Sequence, residues 1–513
     1  MMRISQLLPA APGTIHGDPD REVSGVSHDS RTVAPGQLYA ALPGSNVHGA
    51  RFAPDLIAAG VSAILTDPVG WRLIAEAVDP DALAAVTGLV VDDPRAVLGF
   101  VSAAVYGTDV RPELLGVTGT NGKTTTTYLL AGMLEALGRR TGVIGTVATL
   151  IDGTAVPAVR TTPEAPELHA LFAKMRAADV DTCAMEVSSH ALSQHRVDGA
   201  HFAVAGFTNL SQDHLDFHHS MDEYFAAKAA LFTRAFADRA VIVIEDEWGE
   251  RMAAAAQIPV TTLGRDDRSR LRIDHTPGES DFSLRLGEGE TIPLRSPLPG
   301  DFNVTNTALA AAMLVESGIP ATELSAIGRT FTAAVPGRME VIGIAEDAAH
   351  ELPRAIVDYS HTPDAIAKAL ASLDADSDEL VIVVGAGGDR DPGKRHGMGA
   401  AAARGADVIV LTDDNPRSED PAAIRAAVRA GIDAEIAAGG ARVKKVIEIG
   451  DRGEAIDKAI ASASPATTVL IAGKGHETGQ SAGGVVTEFD DRSRTRSALT
   501  ARLGRPETGK VHS

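Results

Sequence analysis

The sequence predicts an α/β protein divided into three units, on three observations. The continuous apolar runs Val381-Ile382-Val383-Val384, Val408-Ile409-Val410-Leu411 and Val469-Leu470-Ile471-Ala472 are separated by helical segments, as strands buried on both faces of a parallel sheet require. Another run, Leu114-Leu115-Gly116-Val117, leads through a glycine-rich turn into a segment with Leu130, Met133, Leu134 and Leu137 at helical spacing. The length of 513 residues exceeds one ordinary core, and aromatics at 4% suit stacked layers of Ala, Val and Leu.

A formal charge of −21 leaves no strongly basic face for nucleic acid or an anionic membrane, although it permits local basic pockets for phosphates. The single cysteine, Cys183, excludes an internal disulfide and fits a reducing compartment. The start Met1-Met2-Arg3-Ile4-Ser5-Gln6 lacks an apolar signal region, and no run approaches a membrane span. The expectation is a soluble cytoplasmic monomer working on small molecules.

The first unit, residues 1 to about 108, has strand-like runs at Ala63-Ile64-Leu65 and Leu89-Val90-Val91 with helical stretches between. His28 and Ser30 lie in one polar stretch, and Ser45, Asn46 and Val47 in another; alone, both read as surface loops.

The second unit, about 109 to 335, opens on Gly119-Thr120-Asn121-Gly122-Lys123-Thr124-Thr125. Strand, glycine-rich turn and helix form the context of a phosphate-binding loop. Backbone amides wrap the phosphates, Lys123 neutralises charge and Thr124 can hold magnesium. The usual first glycine of this pattern is Val117 here, with glycines at 116 and 119 instead. A ligand-free Gly/Thr turn is the alternative, and the Gly-Lys-Thr context argues for a nucleoside triphosphate. Thr182-Cys183-Ala184-Met185-Glu186-Val187 reads as a buried strand ending at an acid that can reach the metal. The next strand, Phe202-Ala203-Val204-Ala205, leads to His214. Two polar strand ends flanking one phosphate loop favour a metal site. Ser220-Met221-Asp222-Glu223 is a capping box, and its helix puts Tyr224 and Lys228 on one face. From sequence alone Lys228 is a solvated helix lysine. Asn303 and Asn306 precede an Ala-rich helix, to bond a base or to cap the helix.

The third unit, about 336 to 513, ends its strands in Gly387-Gly388-Asp389-Arg390-Asp391, Asp413-Asp414-Asn415-Pro416-Arg417 and Gly473-Lys474-Gly475-His476-Glu477. Ligands in open α/β sheets bind beyond the carboxyl ends of strands, so these loops are expected to converge on one pocket. Guanidinium groups for carboxylates and acids for ammonium groups suit an amino acid carrying both. The polar tail 504–513 is expected to fray.

In this order the motifs resemble those of the Mur ligases of bacterial peptidoglycan synthesis, over nearly the whole chain. The resemblance rests on Gly119–Thr125, Glu186-Val187-Ser188-Ser189-His190, Asp358-Tyr359-Ser360-His361-Thr362-Pro363-Asp364 and Asp414-Asn415-Pro416-Arg417. It implies a uridine-nucleotide-binding N-terminal domain, a central ATPase domain and a C-terminal Rossmann-like domain. It implies ATP on the phosphate loop, with Asn303, Asn306, Arg338 and Asp358 handling the nucleotide. Magnesium falls to Thr124, Glu186, His214 and a carbamylated Lys228, which replaces the bland reading of that lysine. His28, Ser30 and Ser45-Asn46-Val47 correspond to uridine-nucleotide contacts. Thr161, Thr162, Ser188, Gln194 and Arg196 correspond to contacts with a muramoyl dipeptide. Arg160 departs from the pattern, since some members carry Asn there. Arg390, Asp414, Asn415, Pro416, Arg417, Gly473 and Glu477 fall on contacts to meso-diaminopimelate.

The activity implied is ATP-dependent amide formation through an acyl phosphate, joining meso-diaminopimelate to the D-glutamate of a UDP-linked muramoyl dipeptide. Arg417 pairs with the second carboxylate of such a diamine. Lysine lacks that group and leaves the charge unpaired, at a cost of roughly 2–5 kcal/mol. A lysine-adding ligase should lack the Asp-Asn-Pro-Arg loop. A folylpolyglutamate synthase would not need the N-terminal unit, and a non-catalytic regulator should have lost Lys123, Glu186 or Lys228. Nucleotide-handling residues on two units imply closure before chemistry.

Overall fold

The computed structural model describes residues 1–108, 112–157, 160–287, 289–344, 351–374 and 377–504. The expected second-unit start at 109 and most of the tail (505–513) lie outside the described residues. Among those described, no helix is long and apolar enough to cross a membrane.

The strand Glu113–Thr118 lies inside the largest sheet, between Thr182–Glu186 and Phe202–Phe207. The sheet is parallel from Thr141–Ile144 across these three strands to Leu271–His275, with antiparallel hairpins at both edges. Both faces of its centre are covered, which is why its strands read as unbroken apolar runs. Helix Lys123–Ala136 and helix Asp301–Glu316 pack on one face. Ala308, Ala310, Ala311 and Ala312 let the second helix be buried on nearly every side. Asn303 and Asn306 lie inside this helix, in its first turns, rather than ahead of it, and Gly300 takes the capping position. Ser220 caps its helix by accepting from the Glu223 amide at 3.1 Å, while its own amide goes to the His218 carbonyl at 2.7 Å.

The C-terminal sheet runs Glu340–Val341, Arg354–Asp358, Thr467–Ala472, Glu379–Val384, Val408–Leu411, Lys445–Glu448, and is parallel after its first strand. The three apolar runs named from sequence are therefore consecutive neighbours, and their carboxyl-end loops are adjacent. Beneath those loops Arg452 and Asp491, both fully buried, form a bidentate pair with both contacts at 2.7 Å. Arg452 also donates to the Ala472 carbonyl at 3.0 Å, just before Gly473.

The N-terminal sheet orders Thr14–His16, Thr87–Val90, Ala63–Thr66, Leu38–Ala40 and Val26–Ser27. His28–Ser30 and Ser45–Val47 follow the carboxyl ends of its two neighbouring parallel strands Val26–Ser27 and Leu38–Ala40. Helix Pro94–Tyr106 is capped by Asp93 and stopped by left-handed Gly107. It docks on the central unit where Gly99 and Gly199 touch backbone to backbone; a Cβ on Gly199 would sit 2.7 Å from the Gly99 carbonyl oxygen.

Arg452→Met leaves the Asp491 carboxylate buried without its cation. The expected loss of stability is about 3–5 kcal/mol, read as a lower denaturant midpoint, far above that of an exposed arginine change such as Arg496→Met.

Candidate active site

The turn from the strand Glu113–Thr118 to its helix places Gly119 and Gly122 at φ of +146° and +87°. A Cβ on Gly119 would collide with Thr208 Oγ1, and one on Gly122 would lie 2.6 Å from Asn306 Oδ1. The glycines therefore serve close approach as well as backbone shape. Lys123 folds its ammonium onto the turn's own carbonyls, Gly119 O at 2.9 Å and Thr120 O at 2.8 Å. Burial lowers its pKa. Thr120 Oγ1 meets Tyr224 Oη at 3.2 Å, and Thr125 is buried behind the turn.

Glu186, 1% exposed, closes the next strand beside the loop. Its Oε1 accepts from Thr124 Oγ1 at 2.9 Å and from the Thr146 amide at 2.7 Å, while Oε2 accepts from Thr146 Oγ1 at 3.1 Å. On the other flank His214 sits at φ +54°, a left-handed conformation that a side-chain-bearing residue rarely adopts. Burial, partly offset by Asp213, pushes its imidazole down to about 3, so it is neutral and able to ligate. Lys228 is 1% exposed, donates to Gly119 O at 2.8 Å and lies 4.5 Å over the Tyr224 ring. The solvated-lysine reading fails because this helix face turns into the core. Burial, reinforced by Lys123, holds the ammonium well below its ordinary range. Among the described residues no three His, Cys, Asp or Glu groups form a ready-made metal cage. Thr124 and Glu186 fit a hard cation, and further oxygens must come from elsewhere.

The third unit reaches this place directly. Arg338 donates to Thr124 Oγ1 at 3.1 Å and stacks 4.3 Å over the Tyr359 ring. Asp358 spends its carboxylate on the amides of Met339 (2.7 Å) and Ser360 (2.9 Å), fixing the Arg338 turn rather than facing the loop. Asn303 donates to Pro299 O and accepts from Asn306, which rests on Gly122. Asp213 joins the units from the other side, with His361 Nε2 at 3.7 Å and Lys394 Nζ at 3.9 Å.

The carboxyl-end loops of the C-terminal sheet interlock. Gly388 N donates to Asn415 O at 2.9 Å, Arg417 donates to Gly388 O, and a Cβ on Gly388 would strike Pro416 O. Asn415 donates to Glu477 Oε2 at 2.7 Å. Gly473, at φ +119°, leaves room for the Asp414 carboxylate. Arg417 is left-handed at φ +54°, and Arg390 is exposed. Sequence reasoning assigned nothing to Lys474, which is fully buried and reaches Asn415 Oδ1 (3.0 Å), Glu477 (3.4 Å) and Asp414 (3.9 Å). Its position between two glycines in a loop already singled out was the available signal. Thr146, equally unassigned, follows a buried strand and Gly145.

Near Glu186, Thr162 Oγ1 donates to the Glu186 carbonyl at 2.8 Å and lies 3.3 Å from Ser188 Oγ. Thr161 meets Thr146 at 3.0 Å, and Arg196 bonds Gln194. The structure thus brings the phosphate loop, the Glu186 strand end and the 161–196 segment together. No described side-chain contact joins His28, Ser30 or Ser45–Val47 to them.

A glycine-rich turn that meets a buried acid on one side and an arginine of the C-terminal unit on the other is the arrangement of an ATP-dependent amide-forming ligase. Family models match in three segments: "Mur ligase family, catalytic domain" over 22–106, "Mur ligase middle domain" over 117–314 and "Mur ligase, glutamate ligase domain" over 337–475. The UDP-N-acetylmuramoyl-L-alanyl-D-glutamate–2,6-diaminopimelate ligase of Corynebacterium glutamicum is 47% identical, covering 95% of this chain and 94% of its own. The ligase of the same name from Streptomyces coelicolor is 44% identical, over 97% and 96%. A solved structure of a ligase of that name superposes with TM-score 0.65 at 32% identity, over 98% of this chain and all of the other. The chain belongs to the Mur ligase family.

Gly119→Ala forces a Cβ into Thr208 at a backbone angle that only glycine adopts freely. ATP affinity measured by calorimetry is expected to fall at least tenfold, while Gly153→Ala, on an open turn, leaves it unchanged.

Proposed function

We propose that the chain joins meso-diaminopimelate to the D-glutamyl γ-carboxylate of UDP-N-acetylmuramoyl-L-alanyl-D-glutamate, using ATP, in peptidoglycan precursor synthesis. The observation that carries the substrate choice is the interlocked set Asp414, Asn415, Arg417 and Glu477. It presents a guanidinium and two acids at one strand-end crevice. The names of the relatives support the same choice.

In this reading the phosphate-loop amides and Lys123 take the ATP phosphates, and Lys123 exchanges its own-loop carbonyls for them. Thr124, Glu186, His214 and the Lys228 carbamate hold Mg2+, which supplies charge neutralisation on the γ-phosphoryl group. Burial disfavours the Lys228 ammonium; in its neutral form the nitrogen adds to carbon dioxide and releases one proton, giving the carbamate anion. Arg338, held by Tyr359 and Asp358, meets the nucleotide from the C-terminal unit, with Asn306 steadying the loop from behind. The D-glutamyl γ-carboxylate attacks the γ-phosphorus and ADP leaves. The diamine's neutral amine then attacks the acyl phosphate, and phosphate leaves as the amide forms. Thr161, Thr162, Ser188, Gln194 and Arg196 orient the dipeptide end, and His28, Ser30 and Ser45–Val47 take the uridine nucleotide. Arg417 orients the diamine by pairing with its distal carboxylate, and Arg390, at the exposed rim, meets it as it enters.

Phosphate release with the muramoyl dipeptide nucleotide should require meso-diaminopimelate and be weak with L-lysine. Arg417→Ala is expected to raise the KM for the diamine at least tenfold and leave that for ATP unchanged; equal losses for both would overturn the assignment. Lys228→Ala should reduce kcat by a factor of about 100 or more. Native-mass measurement of the wild type in bicarbonate should show one added carbon dioxide, absent in the variant.

A further inference from the structure

One concentration of positive charge is only partly used in the reaction described so far, through Arg196. Three guanidinium groups converge on the carboxylate of Glu164. Arg196 Nε lies 3.0 Å from Oε1, Arg160 Nε 3.8 Å from Oε1, and Arg95 Nη1 3.5 Å from Oε2. The Glu164 side chain is 8% exposed and starts helix Ala165–Ala177, yet it makes no side-chain capping bond. Its carboxylate is committed to the arginines instead. Three positive charges against one negative leave an excess of two. Glu167, the next acid, is exposed on the following turn. Burial first, then repulsion from Arg160 and Arg95, lowers the Arg196 pKa, although Glu164 opposes both. Like charges gathered at a half-buried place repel one another unless an anion joins them.

Their location says which anion. Arg196 also donates to the Thr162 carbonyl at 3.4 Å, and Thr162 is bonded to the Glu186 carbonyl. The cluster therefore stands beside the acid next to the phosphate loop, where the reacting end of the substrate must lie. Arg95 comes from the N-terminal unit. It lies one helical turn before Gly99, on the face that the Gly99–Gly199 contact presses against the central unit, and its Nη1 is also 3.5 Å from Gln194 O. Arg160 is 43% and Arg95 38% exposed, so both have guanidinium surface free for a ligand.

We propose that Arg95 and Arg160 join Arg196 in a three-guanidinium subsite for the D-glutamyl α-carboxylate, the carboxylate that does not react. The inference rests on the muramoyl-dipeptide reading above and deepens it. With the α-carboxylate held by arginines of two units, the γ-carboxylate a few bonds away is turned towards the phosphate loop. Glu164 spaces the guanidiniums and keeps them parted before substrate arrives.

The test uses the full-length enzyme and phosphate release, with the natural dipeptide nucleotide and its α-carboxamide analogue. The wild type should show a KM roughly tenfold higher for the amide. Arg160→Asn and Arg95→Ala should each raise the KM for the natural substrate roughly tenfold. They should narrow the acid-to-amide ratio towards one and leave the KM values for ATP and meso-diaminopimelate in place. Arg95→Lys should recover part of the loss, and affinity for UDP alone should not change. Variants that keep the wild-type acid-to-amide ratio, or lose UDP affinity in step with substrate, would overturn the subsite; the second result would move the arginines to the pyrophosphate. A lower melting temperature with unchanged KM would make Arg95 a domain clamp and also overturn it. Wild-type turnover with the natural substrates is the separate control: its absence would refute the function proposed above, not this subsite.

Discussion

A carboxylate buried to 1% exposure needs hydrogen-bond partners for its oxygens, and much of the active-site architecture follows from how Glu186 finds them. Its partners come from two segments: Thr124 at the start of the phosphate-loop helix, and Thr146, amide and hydroxyl, after a neighbouring strand. Those bonds fix the phosphate loop against the sheet to within hydrogen-bond tolerance. Gly145 is required because a Cβ there would run into the same carboxylate. Thr124 passes the constraint on, since its hydroxyl also receives Arg338 from the C-terminal unit. One buried acid thus registers two sheets.

The same economy appears in the C-terminal loops. Lys474 is set among Asp414, Asn415 and Glu477 and so ties the two loops that carry them to each other. Arg452, paired with Asp491 and bonded to the carbonyl before Gly473, holds the base of the same loop. These bonds tie the loops to one another without a ligand, and in the reading proposed above less of the substrate's binding free energy then goes into ordering protein.

Much of this was legible in the sequence because it depends on local chemistry. The phosphate loop announces itself through glycine spacing and a following helix, and the three apolar runs of the last unit through their length. Glu186 and His214 were readable as strand ends, and the sheet order sets their strands on either side of the phosphate-loop strand. What stayed hidden depends on contacts between residues distant in sequence. Lys228 reads as a surface lysine until the fold turns its helix face inward beneath Gly119, 109 residues away. Nothing in the sequence around Asp358 signals the two amides that its carboxylate accepts from. Asn303 and Asn306 read as preceding the Ala-rich helix; the helix starts at Asp301 because Gly300, at φ +96°, makes the bend alone.

The contacts that join the units differ in kind. The N-terminal unit is seated by glycine against glycine on helix Pro94–Tyr106, and Ala165 of the central unit is part of its apolar core. Close-packed apolar contact of that sort is lost steeply with separation. The C-terminal unit meets the phosphate-loop side mainly through polar pairs: Arg338 to Thr124 at 3.1 Å, Asn121 to Asp364 at 3.4 Å, His361 and Lys394 to Asp213 beyond 3.6 Å, with Phe302 as an apolar link among the described residues. Polar pairs exchange readily for water. The chain enters that unit through Gly337, at φ +65°, where a Cβ would collide with the Gly475–His476 backbone. In the reading proposed above the enzyme admits a large nucleotide-linked substrate and then excludes water from an acyl phosphate. A closely docked N-terminal unit and a polar C-terminal contact would meet those two demands with separate surfaces, so that closure by the last unit would leave the arginines that cross between the first two in place.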